Sequence, residues 1–328
     1  MSTRIRPRLA LTLGDPAGIG PEIVAAALAD EGLREQARLC VLGPREQRQA
    51  PAFAGLPVVE RGQLEGAPDQ VWMDSSAGSL GEFELGRAQA TCGRAALDAL
   101  RLGHELALAG EAEGIAGLVT APVCKEAMHL AGEAVEGQTQ LLARWSGADD
   151  CQMMAIAGKM RVLLATRHMP LRAALDSLTP DLVAARLRLL DASLRSFGIA
   201  APRLALAGIN PHASEGGIFG DDEARVLLPA LESVRAEGLD VTGPEPADTV
   251  FVRASRGRFD AVLALYHDQG FIPVKLAAPT TGVTVLVGMP YLRVSPAHGT
   301  AFDIAGKGEA DPENLLVALR TAADLLRG

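Results

Sequence analysis

The chain has 328 residues, a net charge of −9 and 48% hydrophobic residues. This length exceeds what one compact core usually covers, so we expect two lobes. The acidic balance, without any run of Lys and Arg, argues against nucleic acid and membrane surfaces as partners.

Two further features bear on the compartment. The first apolar stretch is short and ends in Gly-Asp-Pro, which predicts a strand rather than a signal peptide, and no run reaches transmembrane length. The four cysteines show no paired spacing, which is typical of free thiols under reducing conditions. We therefore expect a cytoplasmic protein.

Apolar runs of strand length alternate with helical patterns along the chain. The strand-like runs are RLALTLG, ARLCVLG, GIAGLVT, QMMAIAG, RVLLATRH, RLALAGIN, AVLALY and GVTVLVG. Helical patterns lie in PEIVAAALADEG, GRAALDALRLGHELALAG, DLVAARLRLLDASLRSFG and DEARVLLPALESVRAEG. The segment Arg45 to Gly81, with three prolines, is the least regular. Strands that are apolar on both faces predict an α/β fold with helices on both sides of the sheet.

Three of the six histidines follow strand-like runs directly. His168 comes after RVLLAT, His212 after RLALAGIN and His267 after AVLALY. In an open α/β sheet such carboxyl ends line one cleft, so three imidazoles far apart in sequence can converge on one metal ion. The alternative for each is a structural or surface histidine, but all three lie among turn-forming residues. His104 and His129 lie in helical patterns without companion ligands, and we interpret both as structural or exposed.

Two loops combine a strand end with a helix start. GDPAGIGPEI carries glycines that let main-chain N–H groups approach an anion or a partner loop. Its spacing matches neither the P-loop nor GxGxxG, so contact with a ligand stays open. In VTAPVCKEAM, Lys125 opens a helix, either as a substrate contact or as a solvated residue.

A third loop, SPAHGTAFDIAGKGEADP, is rich in glycine and lacks a long apolar run. Such a segment suits the wrapping of a polar ligand better than a core element. It resembles the loop with which isopropylmalate and isocitrate dehydrogenases hold the adenosine end of NAD or NADP without GxGxxG. The residues that this resemblance assigns to the cofactor are His298, Gly299, Thr300, Asp303 and Gly306.

The motifs GDPAGIGPEI, TAPVCKEAMHLAG, GQTQLLA, INPHASEGGIFGDDE, PADTVF, YHDQGFIPVK and RVSPAHGTAFDIAGKG occur in one order along the chain. Together they resemble the 4-hydroxythreonine-4-phosphate dehydrogenase family of pyridoxal phosphate biosynthesis. The resemblance implies a two-lobed three-layer sandwich with a mixed sheet, like isocitrate and isopropylmalate dehydrogenases. It predicts a cofactor-side lobe of residues 1–134 and 276–328 and a metal and dimerisation lobe of residues 135–275.

The resemblance also implies an activity and a site. The expected reaction is oxidation of 4-hydroxythreonine 4-phosphate by NAD or NADP, followed by decarboxylation to 3-amino-2-oxopropyl phosphate. One divalent ion (zinc, cobalt, magnesium or manganese) would be held by the residues matching His168, His212 and His267, in a homodimer with a shared active site. Asp268 and Asp248 are candidates for orienting a ligand imidazole or for transferring the proton of the reaction. The alternative for each is a loop cap or a surface acid. Substrate contacts are expected at Gln138, Thr139, Lys275, Thr284 and Arg293.

Two positions depart from the family pattern. Gln138 stands where a histidine is usual, and Thr284 where an asparagine is usual. Because glutamine carries no positive charge, affinity for a phosphate dianion is expected to fall. The alternatives are therefore dehydrogenation of threonate or erythronate 4-phosphate, or of a cis-dihydrodiol dicarboxylate. Arg293, whose guanidinium suits a phosphate, argues for the phosphorylated substrates.

A metal-dependent hydrolase or lyase without nicotinamide is a further alternative that the same histidines and glycine loops permit. It would show metal-dependent turnover in the absence of NAD and NADP. Between the two cofactors, the Asp303 carboxylate near the expected adenosine end disfavours a 2′-phosphate, which predicts a preference for NAD.

Overall fold

The computed structural model describes residues 6–148 and 150–327. The strands of this part are β1 (Arg8–Thr12), β2 (Arg38–Gly43), β3 (Gln70–Asp74), β4 (Gly117–Thr120), β5 (Gln152–Ala157), β6 (Met160–Leu164), β7 (Arg203–Ala207), β8 (Asp240–Glu245), β9 (Ala261–Ala264), β10 (Val283–Val287) and β11 (Leu292–Pro296). The α-helices are α1 (Gly20–Ala29), α2 (Glu31–Arg34), α3 (Ala90–Ala109), α4 (Lys125–Leu130), α5 (Gln138–Ser146), α6 (Leu171–Asp176), α7 (Pro180–Ser196), α8 (Leu228–Ala236), α9 (Ala247–Ser255), α10 (His267–Ala277) and α11 (Glu313–Leu325).

The chain divides into two compact units, with borders after Cys151 and after Gly288. The first unit consists of the segment before Gln152 and the segment Met289–Arg327, and the second is Gln152–Gly288. The borders predicted after residues 134 and 275 lie 17 and 13 residues before these two borders. The difference arises because α5 packs on α3 of the first unit and β10 pairs with β5 of the second.

The first unit contains a parallel sheet in the order β3-β2-β1-β4-β11. Helices cover both of its faces. A Cβ at Gly103 of α3 would meet Leu118 of β4, whereas a Cβ at the neighbouring Gly117 would meet Leu326 at the end of α11. Because adjacent residues of a strand point to opposite faces, the two helices lie on opposite sides. The segment Arg45 to Gly81, predicted to be the least regular, contains one strand, β3.

The second unit contains a mixed sheet in the order β10-β5-β6-β9-β7-β8. β5 is antiparallel to both of its neighbours, and the other pairs are parallel. β5 and β6 form a hairpin whose turn contains Gly158 at φ 57°, a conformation that tight hairpin turns require. Val262, Phe251 and Val274 lie in its core. The predicted α/β class with a mixed sheet is confirmed.

Two sequence expectations concern the compartment. Within residues 6–148 and 150–327, no helix combines the length and the apolar character needed to cross a membrane. The cysteines of this part form no disulfide, and Cys40 and Cys151 are buried as their strand-like context predicts.

Candidate functional site

The start of α5 offers free hydrogen-bond donors in the first unit. The first helical bond there runs from the Leu141 N–H to the Gly137 carbonyl (3.3 Å), and no side chain caps the helix. The N–H groups of Gln138, Thr139 and Gln140 therefore have no partner among the described residues, as helix starts leave them. Gly137 has φ 154° and ψ −175°, a conformation largely restricted to glycine. Such a helix start favours an anion.

Arg293 lies beside this helix start and is only 2% exposed. Its Nη2 donates to Thr120 Oγ1 (2.6 Å) and approaches Gln138 Oε1 (3.4 Å), and its Nε has no partner. Among the described residues it donates to no carboxylate. Burial lowers the pKa of Arg293 to about 10, so the guanidinium stays charged at neutral pH. A buried cation without an acid partner is costly, and a bound anion would compensate it.

Gln138 is held in one orientation. Its Nε2 donates to the Ala121 carbonyl (3.1 Å), so its Oε1 faces the Arg293 guanidinium. The side chain thus presents an acceptor to the arginine and brings no titratable charge to the helix start. Thr139 follows it, half-buried, in the first turn of α5.

His104 belongs to the same unit and fits a structural role. Its Nδ1 is 2.8 Å from the Tyr291 hydroxyl, and its ring packs against Trp145. Burial lowers the pKa of His104, which favours the neutral imidazole. Tyr291 directly precedes β11, two residues before Arg293.

The Gly-rich loop that follows β11 is fastened to the start of α1. The Glu22 carboxylate accepts the N–H groups of Gly306 and Gly308, the latter at 3.0 Å. The Ile19 N–H donates to the Thr300 carbonyl (3.0 Å). The GDPAGIGPEI loop therefore contacts a partner loop, which was one of its two expected uses, and the Gly306 N–H is not available to a ligand.

The outer part of the Gly-rich loop stays accessible. His298, Gly299 and Asp303 are exposed, and Thr300 is half-buried. His298 Nδ1 bonds only to the neighbouring Gly299 carbonyl (2.9 Å). All five residues predicted to bind the cofactor thus keep accessible atoms, although the Gly306 N–H is already bonded to Glu22, and their role in cofactor binding stays a prediction.

Two of the predicted metal ligands lie side by side in the second unit. The ring centroids of His168 and His267 are 5.5 Å apart. Two imidazoles on one tetrahedral zinc ion have centroids roughly 5 Å apart, since the Zn–N distance is about 2.1 Å. His267 Nδ1 lies 2.7 Å from Asp268 Oδ1, and the ring stacks on Phe271 at 4.7 Å. These contacts fix the ring and leave Nε2 for a ligand.

His212 lies in a loop of unusual backbone geometry. The five residues 212–216 all have positive φ, including Ser214 at 68°. The Glu223 carboxylate, only 3% exposed, holds this loop. It accepts the N–H groups of Ile209 (2.9 Å) and Asn210 (2.7 Å), the Asn210 side-chain amide (2.9 Å) and the Ser214 hydroxyl.

The histidine triad as a whole stays a prediction. Within the described part of the chain, no three His, Cys, Asp or Glu side chains are grouped closely enough to hold a metal ion. The structure brings His168 and His267 together, and His212 instead packs against Phe219 with ring centroids 6.1 Å apart.

The remaining predicted residues of the second unit are spread over three elements. Asp248 and Lys275 are exposed on α9 and α10, whereas Thr284 is buried in β10 opposite Ala155. The structure gives none of them a contact with the three histidines. Asp268 is the candidate acid that touches one of them.

Sequence reasoning missed several residues that organise these loops: Glu22, Thr120, Asn210, Ser214 and Glu223. Glu22 and Glu223 occur within helical patterns, where acids are normally solvated. Only the presence of Asn210 directly before Pro211-His212 was a signal, because asparagine is common where a loop needs local side-chain bonds. The partnerships of Glu22 with Gly306 and of Thr120 with Arg293 join distant parts of the chain and have no local signature.

Residues 34–322 match the family described as pyridoxal phosphate biosynthetic protein PdxA. The chain belongs to this family, which confirms the resemblance of its motifs. It is 41% identical over 325 residues to a D-threonate 4-phosphate dehydrogenase of Salmonella typhimurium, covering 97% of this chain and 98% of the relative. It is 42% identical over 329 residues to a 4-hydroxythreonine-4-phosphate dehydrogenase of Desulfosudis oleivorans, with 97% and 96% covered. A solved 4-hydroxythreonine-4-phosphate dehydrogenase of Klebsiella pneumoniae superposes with a TM-score of 0.88 at 37% identity, over 100% of both chains.

Proposed function

We propose that this chain is a metal-dependent dehydrogenase that oxidises the C3 hydroxyl of a four-carbon acid 4-phosphate with NAD or NADP. For 4-hydroxythreonine 4-phosphate, hydride transfer gives the 3-oxo acid, which loses carbon dioxide to yield 3-amino-2-oxopropyl phosphate. One observation carries the proposal. Arg293 is buried without a carboxylate partner among the described residues, and it lies beside the uncapped start of α5. That arrangement supports a phosphorylated substrate over a dihydrodiol dicarboxylate.

Substrate binding uses the first unit's cation and helix start. The N–H groups of Thr139 and Gln140 would donate to phosphate oxygens, and Arg293 would supply the opposite charge. Thr120 accepts from Arg293 Nη2 and so keeps the guanidinium directed toward Gln138. In the second unit, Lys275 and Thr284 remain proposed substrate contacts from the resemblance alone.

The residues present fit two ligands of a divalent ion. His168 and His267 have suitable spacing, and the Asp268 carboxylate orients the His267 ring. When bound, the ion supplies Lewis acidity, which lowers the pKa of the substrate hydroxyl and polarises the ketone. His212 is the proposed third ligand. A homodimer in which each site takes ligands from both subunits is consistent with the separation of His212 within one chain.

The roles proposed for the candidate acids and for the Gly-rich loop rest on where these residues lie. Asp268 touches His267, and Asp248 is exposed at the start of α9, so both are proposed for proton handling or orientation. The exposed residues His298, Gly299 and Asp303 would contact the adenosine end of the cofactor. The Asp303 carboxylate would repel a 2′-phosphate, so NAD is the proposed cofactor, and a lower Michaelis constant for NADP would contradict this.

D-threonate 4-phosphate is a second candidate substrate. It is favoured by relatives of that name, including those from Salmonella typhimurium and Cupriavidus necator at 41% and 42% identity. It shares the phosphate, the C3 hydroxyl and the carboxylate of 4-hydroxythreonine 4-phosphate, and carries a hydroxyl in place of the ammonium. Gln138 brings no charge and therefore does not discriminate between the two substrates by charge.

The test is nicotinamide reduction followed at 340 nm. Purified, metal-loaded protein would be given NAD or NADP with 4-hydroxythreonine 4-phosphate, D-threonate 4-phosphate and erythronate 4-phosphate. We expect reduction with at least one of the three and none after chelation. Absence of reduction with all three, together with metal-dependent turnover of a phosphate ester without nicotinamide, would replace the proposal by a hydrolase or lyase.

A further inference from the structure

Lys125 lies close to the start of α5, in the same unit. An ideal Cβ at Gly137 would stand 3.6 Å from Lys125 Cε, and nothing closer is present there. The lysine stem therefore runs along the backbone that precedes the helix, and its ammonium is one bond beyond Cε. Because Gly137 has no side chain, the Lys125 stem approaches the backbone directly before the free N–H groups of Gln138 and Thr139.

The charge environment of Lys125 is not explained by local structure. The residue is exposed, and no carboxylate of the described residues forms an ion pair with it. Glu136, which lies two residues before α5, is engaged by the Gln140 side-chain amide (2.8 Å). Lys125 is also the first residue of α4, where free N–H groups make a cation unfavourable. A lysine at that position gains nothing from its own helix.

A second observation points to a ligand at the same place. Arg293 is 2% exposed, lacks a carboxylate and reaches the first residue of α5. The Lys125 stem and the Arg293 guanidinium thus both lie beside one helix start that carries three free N–H groups, within one unit. Because Gln138 brings no charge, Arg293 alone would face a phosphate dianion there, and a second positive charge would balance it.

We propose that Lys125 is a phosphate-binding residue of the α5 start, where its ammonium pairs with the substrate's phosphate opposite Arg293. This inference rests on the proposed function, since it names a further residue of the same site. It accounts for the loss of an ionisable residue at position 138, because the second charge comes from the start of α4 instead. Affinity for a dianion is then kept with a glutamine at position 138.

The test compares Lys125→Met and Lys125→Arg with wild type, and uses Lys159→Met as the matched control. Lys159 is an exposed lysine in the β5–β6 turn of the other unit. Inorganic phosphate is the probe, titrated by calorimetry at fixed ionic strength. We expect its dissociation constant to rise about tenfold or more in Lys125→Met, as loss of a charge-assisted bond implies. Lys125→Arg should stay within about threefold of wild type, and Lys159→Met should be unchanged.

A kinetic readout separates this inference from the proposed function. In Lys125→Met, the KM for the phosphorylated substrate should rise about tenfold while the KM for NAD stays the same. Unchanged phosphate binding in a folded Lys125→Met protein overturns the role of Lys125, even if wild type turns the substrates over. If wild type reduces NAD with none of the substrates, the proposed function fails, and the phosphate titration still decides whether Lys125 binds the anion. Equal losses in Lys125→Met and Lys159→Met would show a general charge effect and also reject the proposal.

Discussion

Replacing Glu223 by glutamine tests how the His212 loop is held. The carboxylate accepts four hydrogen bonds, two on each oxygen, from Ile209, Asn210 and Ser214. Glutamine keeps the shape but turns one oxygen into an NH₂ group, so two of the four donors then face a donor. At about 1.5 kcal/mol for each lost bond to a charged group, the loop should be destabilised by about 3 kcal/mol.

Amide exchange and urea unfolding measure this effect. A loss of about 3 kcal/mol corresponds to roughly 100-fold faster exchange of the Ile209 and Asn210 amides, if they exchange by local opening. The free energy of unfolding should fall by up to the same amount. Glu232→Gln is the matched control, because Glu232 is exposed on α8. Unchanged protection of both amides, with a change in unfolding free energy below about 0.5 kcal/mol, would refute the reasoning.

The pH dependence gives the sign of the Glu223 contribution. Burial acts to raise the pKa of Glu223, but hydrogen bonds from Ser214 and Asn210 outweigh it and lower the pKa below the ordinary 4.5. The stabilisation is therefore present above about pH 4.5 and is lost as the pH falls through the folded-state value. The difference in unfolding free energy between wild type and Glu223→Gln should shrink from pH 7 to pH 3.5, and a constant difference would contradict the assignment.

Three other changes have expected outcomes. Burial raises the pKa of Asp15 to about 6 from 3.8, so the contribution of the protonated acid is fully present only below pH 3.8 and is lost as the pH rises through 6. In urea unfolding, Asp15→Asn should therefore gain roughly 2.5 kcal/mol on wild type between pH 4 and pH 7. Gly93→Ala places a Cβ 1.9 Å from the Ala127 carbonyl and should cost about 3 kcal/mol in the same assay, whereas Gly55→Ala, with open space, should cost little. Gln138→His should bind inorganic phosphate more tightly relative to wild type at pH 6 than at pH 8, because the added imidazole gains charge; a constant ratio would argue against anion binding there.

The fold was largely readable from the sequence because its central strands are apolar on both faces. The runs that contain β1, β2, β4 to β7, β9 and β10 each carry enough Leu, Val, Ile or Ala to stand out. β8 was missed because its residues are mostly polar, as befits a strand that pairs on one side only with β7. β3 was missed because its short apolar stretch is surrounded by prolines and polar residues.

The site was only partly readable, for a physical reason. Arg293, Thr120 and Gln138 come from β11, β4 and α5, and their contact follows from the sheet order rather than from any local pattern. The role of Gln138 as a fixed acceptor depends on the Ala121 carbonyl, which carries no sequence signal. In contrast, the positions of His168 and His267 directly after strand-like runs were readable from the sequence, and their pairing follows because β6 and β9 are adjacent parallel strands.

The discontinuity of the first unit has a consequence for synthesis on the ribosome. Domains generally fold as units while the chain emerges from its N-terminus. The second unit, Gln152–Gly288, is continuous and has all of its strands once β10 has left the exit tunnel. The first unit begins to emerge earlier but lacks β11 and α11 until the last segment follows. The unit whose synthesis begins first is therefore the one that is completed last. Until β11 is made, the edge of β4 that pairs with it lacks its partner strand.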